Sequence, residues 1–509
     1  MSNFKLSLLL FFVVSLFFIF TAKGVMGNPT QQDIVDNLSS KGQIFESSQE
    51  RARYALAESL VFDKSVFLDK YSRITLPDVS YANHHYISVF QPGVSAFIAP
   101  LIQLGKIFNI SVILAFALPA LLSVFSAIFI FLICRELKLS QLASFLAGFL
   151  YPLATIAWPY SITLYAHSFS AFFVIAGFYF ALKSNEKSFL YSLMVWVLYG
   201  SAILVDYPNA LIMFPVIILL LSEMISVRKL IDGIKKSRII SLKIYPLVTF
   251  PALLLILLLL GLYNYKTVGS WYEFSHNYRV TQLVTESLSY HFQLSNVFSL
   301  KNVENGIFTL LASPERGLFF YVPISIFAIF GFSNLFLRSK LPVYLVLSIL
   351  INIFLYSAFY DPWGGWSYGP RYLISCLPLL AIIIGAAFDH HKKSNIFVIS
   401  FYIFFLTSFA ISLLGALTTN LLPPSVEVGR EVIFLDNLKF LGMAKSSSLL
   451  FNWAQTHLNL GLAYLYQYYL VILALFTAIL TPIFSYQIIK NIHLHFRSWR
   501  ERKETETYA

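Results

Sequence analysis

Residues 244–263 run for twenty positions without an Asp, Glu, Lys, Arg or His. A helix of that length rises about 30 Å, the thickness of the hydrocarbon core of a bilayer. Eleven further runs are similarly apolar, near 4–21, 111–134, 140–157, 165–183, 188–205, 208–226, 317–336, 341–359, 371–388, 395–418 and 461–488. A water-soluble fold of 509 residues has no interior large enough for a chain that is 58% hydrophobic, 12% charged and holds 50 Phe. In lipid, every backbone polar group must be satisfied within its own span, which selects helices. The expected class is therefore an all-α polytopic membrane protein of about twelve transmembrane helices. They form a single transmembrane domain over 1–509, with no separate soluble domain and no obvious repeat.

The net charge of +11 does not point to nucleic acid. With the N-terminus inside, the cytoplasmic loops are 135–139, 183–187, 227–243, 338–340, 389–394 and the tail 489–509. The longest carries Arg228, Lys229, Lys235, Lys236, Arg238 and Lys243, and the tail carries Lys490, Arg497, Arg500, Arg502 and Lys503. All the short basic loops thus share one side, as the positive-inside rule requires. Counting 93–108 as a span would invert every later loop, so it reads as an interfacial or re-entrant helix opened by Pro92-Gly93. The first span, 4–21, is followed by small residues like a signal peptide, yet its apolar run is long for one and reads as a retained anchor. Both termini are then cytoplasmic, in a cell membrane. Spans two to seven fill 111–263 and spans eight to eleven fill 317–418; 461–488 is the last. Cys134 and Cys376 fall at opposite faces, which excludes a disulfide between them.

The extracytoplasmic side owns three long loops, 24–110, 264–316 and 419–460, and the short ones 158–165 and 360–371. The ionisable groups gather there. The stretch from Ser48 to Tyr54 reads Ser-Gln-Glu-Arg-Ala-Arg-Tyr, an amphipathic helix with Glu50, Arg51 and Arg53 at its charged end. It offers a carboxylate as general base and guanidinium groups for a phosphate. Asp63 and Asp78 follow, then His84 and His85. Adjacent histidines point to different faces of a regular element, so they read as hydrogen-bonding groups and not as a joint metal site. Further on stand Asp206, His167, Lys266 after the seventh span, and Arg316 within Ser313-Pro-Glu-Arg-Gly317. The loop Tyr360-Asp-Pro-Trp-Gly-Gly-Trp-Ser-Tyr-Gly-Pro-Arg371 surrounds Asp361 and Arg371 with Trp363, Trp366 and three glycines. Some of these rings serve an aromatic interface belt. Flat rings also suit a sugar, and Arg371 suits a phosphate.

These residues carry a resemblance. The run Glu50-Arg-Ala-Arg-Tyr54 is similar to the Asp-Glu-x-Arg-Tyr-like stretch in the first outer loop of the GT-C superfamily of membrane glycosyltransferases. Gln91-Pro-Gly-Val94 stands where many members have Lys-Pro-Pro-Leu. Together with Ser313-Pro314, Arg316-Gly-Leu318 and Trp363-Gly-Gly-Trp-Ser367 continuing to Arg371-Tyr372, the chain resembles an uncharacterised prokaryotic subgroup. That subgroup is related to protein O-mannosyltransferases and lipid A aminoarabinose transferases. The resemblance implies a polyprenyl-phosphate sugar donor, transfer with inversion at the extracytoplasmic face, and Glu50 in the place of the catalytic acid, with Asp63 or Asp78 as replacements.

The expected site is therefore Glu50 or Asp63 as base. Arg53, His85, Lys266, Arg316, Trp363, Trp366 and Arg371 would hold the substrate and its phosphate, with Asp78, Asp206 and Asp361 as further acids. The partners are the lipid-linked donor, the bilayer and an acceptor that is protein, glycan or lipid. No Asp-x-Asp stands in the first loop, so this reading requires no metal, without excluding a divalent ion. Two rivals stand beside it: a transporter or flippase of lipid-linked sugars, and a non-catalytic scaffold. A transporter tends to show two similar halves with functional groups at mid-membrane, whereas these spans are nearly free of charge.

Overall fold

The structure, a computed structural model, describes residues 2–36, 44–184, 188–232, 235–280, 283, 297–332, 335, 339–443, 448–461 and 464–507. Parts of the 264–316 loop and the 317–336 run lie outside the described residues. The chain is an all-α polytopic membrane protein. Among the described residues six helices are long and apolar enough to cross a bilayer, accompanied by shorter apolar helices.

The helices that place the site are α1 (Asn3–Thr21), α2 (Ser48–Glu58), α3 (Gly93–Phe108), α4 (Ser111–Glu136), α5 (Gln141–Leu153), α6 (His167–Lys183), α7 (Ser188–Val205), α8 (Pro251–Val268), α9 (Leu341–Ser357), α10 (Leu377–His391), α11 (Asn395–Leu417) and α12 (Tyr464–Thr507). α1 is part of the bundle core. Phe17 makes edge contacts with Phe149, Trp158, Phe409 and Phe476, and the last two rings stack 3.5 Å apart. The Trp158 indole closes this cluster by donating to Thr21 Oγ1 at 2.9 Å, which meets the need of a buried ring N–H for an acceptor.

Proline decides where several apolar runs break. The run 208–226 becomes two pieces, Asn209–Ile212 and Phe214–Ser222, with Pro215 opening the second. The run 317–336 begins as Leu318–Tyr321, and Pro323 then starts a 3-10 stretch to Phe330. The tenth run also opens as a 3-10 turn, Arg371–Cys376, before Pro378 seats at the start of α10. The basic loop 227–243 pairs as an antiparallel hairpin of Ile225–Asp232 with Lys235–Leu242.

The first loop is folded tightly against the bundle. α2 starts with a capping box in which Ser47 accepts from the Glu50 N–H and the Glu50 side chain accepts from the Ser47 N–H. The amphipathic reading gave α2 one wet face. In the fold, Glu50 and Ala52 through Glu58 are all buried, because α3 lies across it. The residues after α2 form a hairpin of Val79–Ala82 with His85–Ser88. Its turn residues Asn83 and His84 both have positive φ, as a two-residue hairpin turn demands. The other edge of Val79–Ala82 pairs with Arg279–Val280 from the 264–316 loop, so the two loops share one small sheet.

Candidate active site

A cavity of about 660 Å³ opens on the face that carries these loops. Its walls come from places far apart in sequence: α2 and the residues flanking the hairpin, the start of α6, the α7 terminus, His276 and Arg279, the end of α9 with the loop 360–372, and Leu421. Arg51, Arg53, Asp78, Asp206, Asp361, Trp366 and Arg371 all reach it.

Arg53 is 5% exposed. It stands on the buried side of α2, donates to the Leu164 carbonyl at 3.2 Å, and lies over the Phe90 ring at 4.2 Å. Ser95 of α3 donates to the Arg53 carbonyl at 2.8 Å and locks that turn of α2 in place. Burial pulls the Arg53 guanidinium down to about 10, so it stays protonated at neutral pH. Arg371 sits opposite, flanked by the Tyr165 and Tyr372 rings at 5.9 and 5.4 Å. Its Nε is buried without a hydrogen-bond partner. Among the described residues, no carboxylate lies within ion-pair distance of Arg53 or Arg371. Arg53 is buried and Arg371 half-buried, neither has an ion pair among the described residues, and an anion placed between them would offset the cost of holding both charges there.

The acids divide by what already holds them. Asp78 accepts from Ser48 Oγ at 2.6 Å and from Arg279 Nη2 at 3.0 Å. Asp361 accepts from the N–H groups of Gly364 and Gly365 at 2.9 and 3.2 Å, where positive φ at both glycines aims those N–H groups inward. Glu46 pairs with Lys23 and meets Thr419 and the Asn420 N–H. Asp206 has no ion pair among the described residues. Burial lifts its carboxyl to about 6, against the pull of Arg53 and Arg371 and a hydrogen bond from Tyr356. It sits just past α7, where its backbone N–H still bonds Ala202. Asp206 also borders a second, mostly apolar pocket of about 390 Å³ that shares Phe90, Gln91, Pro208 and His276 with the first.

Several expected site residues lie elsewhere. The Glu50 carboxylate is turned into the capping box, accepting from the N–H groups of Glu46 and Ser47, and does not line the cavity. Asp63 is paired with Lys70 and Tyr71 at the far end of α2. His85 is bound to Asp69 at 2.7 Å and stacked on Phe67. Lys266 is exposed on α8, away from the cavity. Arg316 is fully buried and donates to the carbonyls of Trp363, Glu315, Gly365 and Leu422, so its guanidinium is committed to protein. Trp363 contributes that carbonyl, while the Trp366 ring stands at the rim with its N–H on Glu427. Sequence reasoning missed Glu46, Tyr165, His276, Arg279 and Tyr356. The strand pairing of Ser80 with Arg279 delivers one of these, and no local pattern announces a pairing across two hundred residues.

No protein-family model and no curated protein matches the chain. Among solved structures, it is similar to the crystal structure of ArnT from Cupriavidus metallidurans bound to undecaprenyl phosphate. That likeness has 13% identity and a TM-score of 0.46, and covers 81% of this chain and 62% of that one. It is also similar to the same protein's apo structure, with 14% identity and a TM-score of 0.47, over 92% of this chain and 76% of that one. The chain thus spans less than two thirds of the length of the first. At such identities the role of each residue has to be argued from the cavity itself.

Proposed function

We propose that this chain is a membrane glycosyltransferase that moves a sugar from a polyprenyl-phosphate donor to an acceptor at the extracytoplasmic face. The observation that carries the reading is the pair Arg53 and Arg371, which have no ion pair among the described residues and share the cavity with Asp206, an acid that keeps none there either. The donor phosphate lies against the two guanidinium groups, which suit its planar, bidentate contacts. The sugar occupies the cavity beneath the Trp366 rim. Asp206 takes the proton of an acceptor hydroxyl as its oxygen attacks the anomeric carbon. The bond from that carbon to the phosphate oxygen breaks, and the electron pair leaves on the lipid phosphate. A single displacement of this kind inverts the anomeric centre, and the two cations stabilise the charge that develops on the leaving group. Asp206 replaces Glu50 in this scheme because Glu50 is spent on the cap of α2.

The test is transfer of radiolabelled sugar from a panel of polyprenyl-phosphate sugars in membranes holding the wild type, Asp206→Asn or Arg371→Lys at equal level. Label passing to an acceptor in the wild type, and lost in Asp206→Asn, is the expected result. Label that only changes leaflet, indifferent to Asp206→Asn, overturns the reading in favour of a flippase.

A further inference from the structure

The segment 313–317 makes contacts that the donor site does not explain. Arg316 is 0% exposed, and its guanidinium bridges two loops. Nε donates to the Trp363 carbonyl at 3.2 Å, and Nη2 donates to the Gly365 carbonyl at 3.4 Å and the Leu422 carbonyl at 2.8 Å. The Trp363 and Gly365 carbonyls flank Gly364 on both sides. Gly364 has φ +76°, and a Cβ placed on it would stand 3.1 Å from Arg371 Nε. Gly364 therefore packs directly on the Arg371 side chain, whose Nε has no hydrogen-bond partner to hold it. Nearby bonds brace the same arrangement. Glu315 accepts from the Ser425 N–H and Oγ, and the Ser367 N–H donates to the Leu422 carbonyl.

We infer that Arg316 is a positioning residue: it fixes the carbonyls on either side of Gly364, so that this glycine forms the wall that aims Arg371 into the anion site. The inference rests on the reading that Arg371 holds the donor phosphate. The physical reason for arginine is geometric. Only a planar fork with several N–H donors in fixed directions bonds three carbonyls of two loops at once, and lysine offers a single point. With the fork removed, the 363–365 backbone relaxes and Arg371 loses its orientation, although Arg371 itself is unchanged.

The experiment is a double-mutant cycle on the detergent-solubilised full-length protein, read as binding of a short-chain polyprenyl monophosphate. The variants are Arg316→Lys, Gly364→Ala, Arg371→Lys, and each of the first two combined with Arg371→Lys. Arg316→Lys and Gly364→Ala are each expected to weaken binding roughly tenfold, the scale of a lost charge-assisted contact. Neither is expected to add to the loss already present in Arg371→Lys, because residues acting through one group couple. Losses that multiply overturn the inference, since Arg316 would then act independently of Arg371. If Arg316→Lys fails to accumulate, Arg316→Gln takes its place in the cycle; if no Arg316 variant accumulates while Gly364→Ala does, the residue serves folding and the inference is wrong. A wild type that binds no polyprenyl phosphate at all condemns the functional reading instead, which keeps the two failures apart.

Discussion

The backbone N–H of Glu46 donates to the Glu50 carboxylate at 2.7 Å, which turns the acid at the head of α2 back onto its own loop. Glu46, four residues earlier, is the one of the two that lines the cavity. Burial, followed by the charge of Glu46, lifts the Glu50 carboxyl to about 7.

That relationship sets the first prediction. Gln at position 50 keeps a carbonyl for the cap, so Glu50→Gln retains transfer activity, whereas Glu50→Ala loses about 0.5–2 kcal/mol of stability with the cap. The pH dependence has a definite sign. The folded-state value lies above the unfolded one, so the protonated carboxyl stabilises fully below the unfolded value of 4.5, and that contribution is lost as pH rises to about 7. Melting of the solubilised protein from about pH 5 to about pH 8 should show a falling Tm, and Glu50→Gln should flatten part of the slope. Abolition of transfer by Glu50→Gln, in protein that melts normally, would return the catalytic role to Glu50.

Asp206 gives a kinetic prediction. A base must be deprotonated to act, and burial lifts Asp206 to about 6 while Arg53 and Arg371 hold it down. Transfer at low donor concentration should therefore rise with pH through about 6 and level off above it. Asp206→Asn should cost about a hundredfold or more in rate, the usual scale of a lost general base. Residual transfer in Asp206→Asn that keeps the same acid limb would assign it to another group.

The two arginines separate binding from chemistry. Lysine at either position keeps the charge and loses the fork, so Arg53→Lys and Arg371→Lys should each weaken the donor by about 1.5–3 kcal/mol, or about 10- to 150-fold. Removal of Arg371 also removes one of the two charges that lower the Asp206 carboxyl, so the acid limb of Arg371→Ala should move to higher pH. Arg51 is the contrasting case. Its Nε and Nη2 are committed to the Ile74 and Leu76 carbonyls, so Arg51→Lys should disturb the 74–76 turn more than donor affinity. Equal losses of donor affinity from all three substitutions would argue against a dedicated anion pair.

The spans were legible because lipid leaves the backbone one solution and the apolar runs are long. Asp206, Asp361 and Arg371 were legible as charges at the ends of such runs, and Arg53 as a charge on an amphipathic stretch of the first loop. Which of them meet was not, because the cavity closes through contacts between loops: Ser80 beside Arg279, and Glu46 against Asn420. Glu50 and Arg316 show the opposite limit. Both have the residue type that the chemistry wants, and in each the hydrogen-bonding capacity is taken by backbone, a demand that a linear pattern does not display. The breaks at Pro215 and Pro323 were visible as prolines, yet each lay inside a run whose hydrophobicity alone reads as one continuous span.

A last prediction follows from how Asp206 is held. Gly93 opens α3 against the end of α7, and a Cβ there would stand 2.5 Å from the Leu204 carbonyl oxygen and 2.7 Å from the Val205 nitrogen. Both atoms are backbone, so neither can swing aside, and Asp206 is the next residue along. Gly93→Ala should thus push the α7 terminus and carry Asp206 out of line, at a cost of about 1–3 kcal/mol from overpacking. A misplacement near 1 Å is worth about a hundredfold in rate, so transfer should fall further than stability does. Gly200→Ala on the same helix is the control. There a Cβ meets Ile256 Cβ and Cδ1 of α8 at 3.0 Å, so the overpacking costs stability more than one turn before Asp206 without pressing on the α7 terminus, and activity should be largely kept. Should Gly93→Ala transfer sugar at the wild-type rate, the contact between α3 and α7 would have no part in placing the acid.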